Sequence, residues 1–161
     1  QKNFSLLIKA FAECHSKLNN TKLTIIGDGP EMENLKETAK DLNILHKTCF
    51  LGYRKDVPKI ISNIDLLVMP SEYEGFGIAA LEGFYCGIPA IISHNTPIKE
   101  IANGACTTSD TTIQDLKQKI MNIIANPSIY YQMSCNAVQI AQKHTIPQYL
   151  NKLRLLYESH L

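Results

Sequence analysis

The sequence predicts an α/β fold in which a doubly wound parallel sheet carries helices on both faces. Short apolar segments alternate with longer stretches of helical spacing along the chain. The apolar segments are continuous and do not alternate with polar residues, which is typical of strands that are covered on both faces. Ligands of such sheets bind outside the carboxyl ends of the strands. We therefore expect the functional loops to follow Ile26, Leu51, Met69 and Ile92.

The strands are predicted from apolar runs that end at a glycine, a proline or a polar turn. The first run, KLTIIG, leads into the turn Gly-Asp-Gly-Pro, and the third, DLLVM, stops at Pro70. The predicted strands are residues 22–27, 48–51, 65–69 and 89–93, with a smaller one at 105–107.

Helices are predicted between the strands from apolar residues at helical spacing. Pro30 suits the first turn of one helix, where Glu31 and Glu33 face the positive end of the helix dipole. The predicted helices are residues 2–18, 30–42, 58–63 and 77–85, a short segment after Pro97, and three segments from Thr112 onward, broken at Pro127 and Pro147.

Composition argues against several classes of protein. The chain has 161 residues and a net charge of +1, from 16 basic and 15 acidic side chains, so we expect one domain over residues 1–161 and no nucleic-acid partner. Five cysteines without a CxxC pair argue against a zinc site or a disulfide framework. No apolar run approaches the ~18 residues that cross a bilayer, and we expect no signal peptide and a cytoplasmic location. Because the chain begins at Gln1 in mid-pattern, we expect an excised fragment.

The segment richest in chemistry follows the third predicted strand, where residues 70–82 read PSEYEGFGIAALE. A strand end leads through a loop with Gly75 and Gly77 into a helix. The first turn of a helix presents unpaired N–H groups and a partial positive charge, which together bind phosphate. Glycine lacks a Cβ atom, so we expect a ligand to approach the backbone closely at these two positions.

Two glutamates flank this loop. Glu82 lies five residues beyond Gly77, ~7–8 Å along the helix, which is about the reach from a phosphate to a ribose. A carboxylate accepts the two hydrogen bonds that a sugar diol offers. Glu74 precedes the helix, where it would meet whatever is attached to the distal phosphate. The spacing is compatible with a bound nucleoside diphosphate whose distal phosphate carries a polar group. A tight strand-to-helix turn with solvent-exposed glutamates explains the same spacing equally well.

This segment resembles the signature of the group 1 (family 4) glycosyltransferases, in which two glutamates are separated by seven residues, as Glu74 and Glu82 are. The likeness continues in Cys86-Gly87-Ile88-Pro89-Ala90. Three further blocks match in the same order: residues 2–11 resemble the helix after the family's phosphate-binding loop, residues 25–31 its first strand and turn, and residues 50–53 its nucleobase loop. The resemblance therefore covers nearly the whole chain.

The resemblance implies the C-terminal half of a two-domain (GT-B) retaining hexosyltransferase, which moves a sugar, most often from UDP, to a glycan or lipid-linked acceptor, as in surface polysaccharide biosynthesis. Glu74 would be the catalytic residue that contacts the transferred sugar, and Glu82 would bind the ribose hydroxyls. Lys2 would neutralise the diphosphate, so that no metal ion or other cofactor is needed. The other donor contacts that it implies are Gly75, the backbone N–H groups of Phe76, Gly77 and Ile78, and Arg54 beside the base.

The same resemblance implies partners outside this chain. A missing N-terminal domain would supply the acceptor site, so the fragment alone is expected to be inactive. Helices after about residue 128 would pack on this domain or cross to the missing one. The full-length enzyme would make any contact with the inner face of the membrane.

Some positions depart from the family's pattern. The family's arginine before Lys2 is not in the chain, and its Gly-Gly turn after the fourth strand is replaced by His94-Asn95-Thr96-Pro97. His94 is therefore either a donor contact or a solvated loop residue. Glu100 matches a glutamate of the family and is expected to bond to a helix end.

Two other functions remain open from the residues. A nucleotide-sugar epimerase with the same two-domain build also places a diphosphate at a helix end, although it is not expected to carry the Glu-Gly-Phe-Gly block with Glu82 at this spacing. A non-catalytic nucleotide-binding module of the flavodoxin or receiver type has a similar order of strands and helices. The receiver form needs an acidic cluster at the first strand end, where this chain has Asp28 alone.

Overall fold

The computed structural model describes residues 1–18, 20–145, 147–148, 151 and 154–155. The strands lie where the apolar runs predict them, and the first four are shorter than those runs. They are β1 (Leu23–Ile25), β2 (Thr48–Phe50), β3 (Leu67–Met69), β4 (Ala90–Ser93) and β5 (Cys106–Ser109).

The helices also follow the predicted order. They are α1 (Phe4–Cys14), α2 (Met32–Asp41), α3 (Val57–Ile61), α4 (Ile78–Tyr85), α5 (Ile113–Ala125) and α6 (Pro127–Lys143), with a 3-10 turn at Pro97–Glu100. The helical pattern predicted after Pro147 lies largely outside the described residues, and so does its predicted crossing to another domain. None of the described helices is long and apolar enough to span a bilayer.

The strands form two hydrogen-bonded groups. In one, β1 pairs with β2, and in the other β4 lies between β3 and β5, with every pairing parallel. The sequence predicts one continuous sheet, whereas the described strands pair in two separate groups. Side-chain packing connects the groups, since Ile25 of β1 and Ile91 of β4 belong to one core cluster. The parallel α/β class is confirmed.

Helices cover both faces of the strands, as a doubly wound fold requires. Ile91 packs in a cluster with side chains of α1, α2 and α5, whereas Ala90 and Ile92 pack in a second cluster with α4 and α6. Successive side chains of a strand face opposite sides of a sheet. All three side chains are at most 1% exposed, which explains why β4 is an uninterrupted apolar run.

Helix α5 begins with a capped first turn that ties it to the end of β5. The Thr112 hydroxyl accepts a hydrogen bond from the Asp115 N–H at 3.2 Å. The Asp115 carboxylate accepts from the Ser109 hydroxyl at 2.8 Å and the Asp110 N–H at 2.9 Å, and it pairs with Lys119. Desolvation raises the pKa of Asp115, but these hydrogen bonds outweigh it and hold the pKa below its ordinary value of 3.8.

Core and surface positions of α5 should differ sharply in their contribution to stability. Ile123 is 1% exposed and its neighbour Ile124 is 39% exposed. We expect Ile123→Ala to lower the free energy of unfolding by about 2–5 kcal/mol, because it leaves a cavity in the first core cluster, and Ile124→Ala to lower it by less than about 1 kcal/mol. Urea unfolding of both variants measures this. Equal losses would contradict the described packing of α5.

Replacing Asp115 should give a pH-dependent loss of stability. Because its folded-state pKa lies below the unfolded value, its stabilisation is present above the unfolded value and is lost as the pH falls through the folded one. We expect Asp115→Asn to lower the free energy of unfolding by about 1–2 kcal/mol at pH 7, and by less at about pH 3. Urea unfolding at both pH values checks this, with Glu37→Gln on the exposed face of α2 as the control. A loss that is the same at both pH values would mean that the carboxylate charge is not its source.

Candidate functional site

The loop from β3 to α4 runs from the core to the surface and back. Pro70 and Ser71 are buried, whereas Tyr73 and Phe76 are 75% and 42% exposed. Gly77 then caps α4 in the left-handed conformation, with φ at 98°. The loop therefore presents Gly75 and Phe76 to solvent directly before the first turn of the helix.

The glycine at position 77 is required by the protein itself. A Cβ atom there would lie 2.8 Å from Cγ2 of Thr96 and 2.9 Å from Cγ2 of Ile98, both of which are fully buried. The Ile98 N–H also donates to the Phe76 carbonyl at 3.0 Å. The space that a ligand was predicted to use at Gly77 is thus occupied by the loop after β4, whereas a Cβ atom at Gly75 would meet open space.

The N-terminus of α4 is open. The first N–H groups with acceptors inside the helix are those of Ala80 and Leu81, which both donate to the Gly77 carbonyl, and none of the described side chains caps the helix. The N–H groups of Ile78 and Ala79 therefore have no backbone acceptor within the described part of the chain. Unpaired N–H groups at a helix start carry a partial positive charge and bind anions.

Lys2 and Glu74 are 72 residues apart in the chain and form an ion pair in the loop before α4. The Lys2 Nζ atom donates to Oε2 of Glu74 at 2.7 Å, and the two side chains are 54% and 13% exposed. A backbone hydrogen bond of 3.0 Å from the Glu72 N–H to the Gln1 carbonyl holds the segment before α1 against the loop. The structure thus brings Lys2 to Glu74, in the loop that leads into the open end of α4.

Glu82 and Arg54 lie apart from this ion pair. Glu82 is half-buried on α4 and makes no hydrogen bond or ion pair with the described residues. Arg54 follows β2, in the other strand group, and donates from Nε and Nη2 to the two carboxylate oxygens of Asp56 at 2.8 and 2.7 Å. These bonds raise the pKa of Arg54 and lower that of Asp56. The Arg54 guanidinium group is therefore held by Asp56. In the same loop after β2, the Gly52 carbonyl accepts a hydrogen bond of 2.8 Å from the Gly27 N–H.

The loop after β4 carries a pairing that the sequence did not predict. Nε2 of His94 lies 3.5 Å from Oδ1 of Asp110, the residue that follows β5. Lys99 donates to the His94 carbonyl. The sequence could have indicated Asp110 as a site residue, because it follows β5, whose carboxyl end lies beside that of β4.

The expected bond of Glu100 to a helix end is wrong, because Glu100 is exposed and its carboxylate accepts no hydrogen bond from the described residues.

Within the residues that the structure describes, no group of three or more histidine, cysteine, aspartate or glutamate side chains is placed to hold a metal ion. Lys2 and the N-terminal N–H groups of α4 carry positive charge at the candidate site.

A parallel α/β domain with a glycine loop and an open helix end at its strand edge is typical of domains that bind nucleotides through their phosphates. Residues 1–142 match the family model of the group 1 glycosyl transferases. This chain belongs to that family.

Relatives and solved structures agree with this assignment. The N-acetyl-alpha-D-glucosaminyl L-malate synthase of Bacillus anthracis is 31% identical over 155 residues, which cover 87% of this chain and 40% of that enzyme. The Anabaena protein HepE, solved with UDP and glucose, is 25% identical with a TM-score of 0.84, over 99% of this chain and 45% of its own. The chain therefore spans less than half the length of both proteins.

An isolated domain has the same fold. The C-terminal domain of a group 1 family protein, LpcC, from Francisella tularensis superposes with a TM-score of 0.78 at 21% identity. The match covers 88% of this chain and 78% of that one. This likeness concerns the fold alone, and that fold fits the C-terminal half of the two-domain GT-B architecture.

The two glycines of the loop should respond differently to an added methyl group. Gly77→Ala forces a residue with a Cβ atom into a φ of 98° and against Thr96 and Ile98, so we expect a loss of about 1–3 kcal/mol or more in the free energy of unfolding. Gly75→Ala meets open space and should change it by less than about 0.5 kcal/mol. Thermal unfolding measures both. Similar melting temperatures for the two variants would contradict the tight contact at Gly77.

Proposed function

We propose that this chain binds the donor of a retaining glycosyltransferase, which moves a hexose from a nucleoside diphosphate to an acceptor. One observation carries the proposal: the open N-terminus of α4 lies directly after the loop in which Lys2 and Glu74 are paired. Membership of the group 1 glycosyltransferases supports the reaction class. The UDP and glucose bound to HepE support a nucleotide sugar, with UDP as the first candidate.

Different polar groups of the site would bind the diphosphate, the ribose and the sugar of the donor. The diphosphate would lie against the N–H groups of Phe76, Gly77 and Ile78, close to the Lys2 ammonium group. Glu82, which has no described partner, would accept hydrogen bonds from the ribose hydroxyls. Glu74 precedes the helix on the opposite side of the phosphates and would hold the sugar.

The base would lie near the loop after β2. Because the Arg54 side chain is held by Asp56, the contribution of this loop would come from its backbone and from the exposed ring of Tyr53, which is 72% accessible. His94 follows β4, the strand that pairs with β3, where it would contribute to the sugar end of the site.

The chemical role of the site is electrostatic. When the bond between the sugar and the phosphate breaks, negative charge develops on the departing diphosphate. Lys2 and the helix end would stabilise that charge without reorganising, which lowers the barrier. We propose that the acceptor attacks from the face that the leaving group vacates, that Glu74 positions the sugar without forming a covalent bond to it, and that no metal ion takes part.

The acceptor is proposed to be a glycan or a lipid-linked glycan, as in the assembly of surface polysaccharides. A second domain would bind it, and the site would close between the two. The cytoplasmic location and the inactivity of the isolated chain stay predictions from the sequence.

Nucleotide binding provides the direct test. We titrate the whole protein that carries this chain with UDP, GDP and ADP by calorimetry, with Mg²⁺ and with EDTA. One nucleotide should bind best and should bind equally in EDTA. Glu82→Gln should weaken it about ten-fold, because a hydrogen bond to a charged group contributes roughly 1.5–3 kcal/mol. The matched control is Glu37→Gln on α2, which should leave the affinity unchanged.

Failure to bind any of the three nucleotides would contradict the proposal, and binding that disappears in EDTA would contradict its metal-free form. The reaction itself is followed by NMR with the matching nucleotide sugar. Sugar transfer with the donor's anomeric configuration supports a retaining enzyme, whereas an epimer formed from the donor alone would identify an epimerase.

A further inference from the structure

The ion pair between Lys2 and Glu74 sets up a competition, and the inference drawn from it rests on the proposed function. The lysine that would neutralise the diphosphate is already neutralised by a carboxylate at 2.7 Å. Lys2 has no other acceptor among the described residues. A diphosphate that reaches Lys2 must therefore share it with Glu74, and it must also tolerate a negative carboxylate near the helix end.

The low exposure of Glu74 strengthens its competition with a diphosphate for Lys2. The Glu74 side chain is 13% exposed, so its charge is screened less by water and salt than that of a surface glutamate. It is also confined, because the backbone bond between Glu72 and Gln1 holds its loop against the segment that carries Lys2. The charge of Glu74 therefore acts on an anion that reaches Lys2.

The two nucleotides that such a site meets differ in charge at the phosphate nearest Glu74. In a nucleotide sugar, the distal phosphate is esterified by the sugar and carries one negative charge, and the sugar hydroxyls can donate hydrogen bonds to a carboxylate. In the free nucleoside diphosphate that remains after transfer, this phosphate is terminal and carries about −1.5 to −2. It also has no sugar hydroxyls to offer.

We propose that Glu74 discriminates between donor and product, binding the nucleotide sugar through its hydroxyls and repelling the nucleoside diphosphate that replaces it. Its competition for Lys2 acts in the same direction, because the product gains the most from an uncontested ammonium group. Glu74 thus promotes product release in addition to holding the sugar.

The test compares two affinities in three proteins. Calorimetry measures the dissociation constants of UDP and UDP-glucose, or of GDP and GDP-mannose if the protein prefers guanine, for the whole wild-type protein, Glu74→Gln and Glu72→Gln. Glutamine keeps the shape of the side chain and removes its charge. Glu72 lies two residues away in the same loop, is exposed, and has no described side-chain partner, so it reports the effect of a more distant charge.

We expect Glu74→Gln to bind the nucleoside diphosphate about three- to ten-fold more tightly and the nucleotide sugar no more tightly than the wild type does. The gain should shrink when the ionic strength rises from about 0.05 M to about 0.5 M. In a Lys2→Met background, part of the gain should disappear, because the ammonium group that Glu74 competes for is gone. Glu72→Gln should change both constants by less than about two-fold.

The outcomes separate this inference from the proposed function. If the wild type binds the nucleotide and Glu74→Gln binds it no more tightly, Glu74 does not repel the product and the inference is wrong, while donor binding stands. An equal gain for both nucleotides would also overturn it, because the discrimination would be missing. If no nucleotide binds to the wild type, the proposed function itself fails.

Discussion

The contact at Gly77 is the constraint on which the geometry of the site depends. Two loops meet there, one from β3 and one from β4, and they approach so closely that no Cβ atom fits between them. The left-handed backbone at this residue turns the chain into α4, and the bond from Ile98 to the Phe76 carbonyl fixes the loop in front of the helix. The position of Glu74 before the helix and of Glu82 along it follows from this turn.

The site has little unpaired positive charge before a ligand arrives. The resemblance to the family assigned two cations to the donor, and the structure pairs Lys2 with Glu74 and Arg54 with Asp56. The open end of α4 is then the part of the site whose N–H groups donate no capping hydrogen bond to a described side chain. An anion would first be attracted by backbone N–H groups, and the ammonium group would join them by leaving or sharing its carboxylate.

Local rules predicted the order of elements and the segment that carries the site. The apolar run ended by Pro70, the two glycines and the helical spacing up to Tyr85 are all short-range signals, and the structure places β3 and α4 within them. Strands are shorter than their apolar runs because each strand ends where its hydrogen-bonded partner ends, and a residue such as Leu66 packs against the core without a place in the ladder.

Pairings between distant residues could not be predicted in the same way. The ion pair of Lys2 with Glu74 spans 72 residues, and no local spacing rule reaches that far. The steric need for Gly77 comes from Thr96 and Ile98, so the sequence indicated a glycine turn but assigned its empty space to a ligand. At Glu100 the likeness to the family led to the prediction of a hydrogen bond to a helix end, which the exposed side chain does not make.

The division of the strands into two ladders has a consequence for how such a domain diversifies. A hydrogen bond between loops lies beyond the strands of each ladder, from the Gly27 N–H to the Gly52 carbonyl in the first and from the Ile98 N–H to the Phe76 carbonyl in the second. The loop assigned to the base belongs to the first ladder, and the loops assigned to phosphate and sugar belong to the second. Because the described strands pair only within each ladder, one set of loops can be remodelled without breaking the strand hydrogen bonds of the other, and the proposed sugar and base contacts can then change separately.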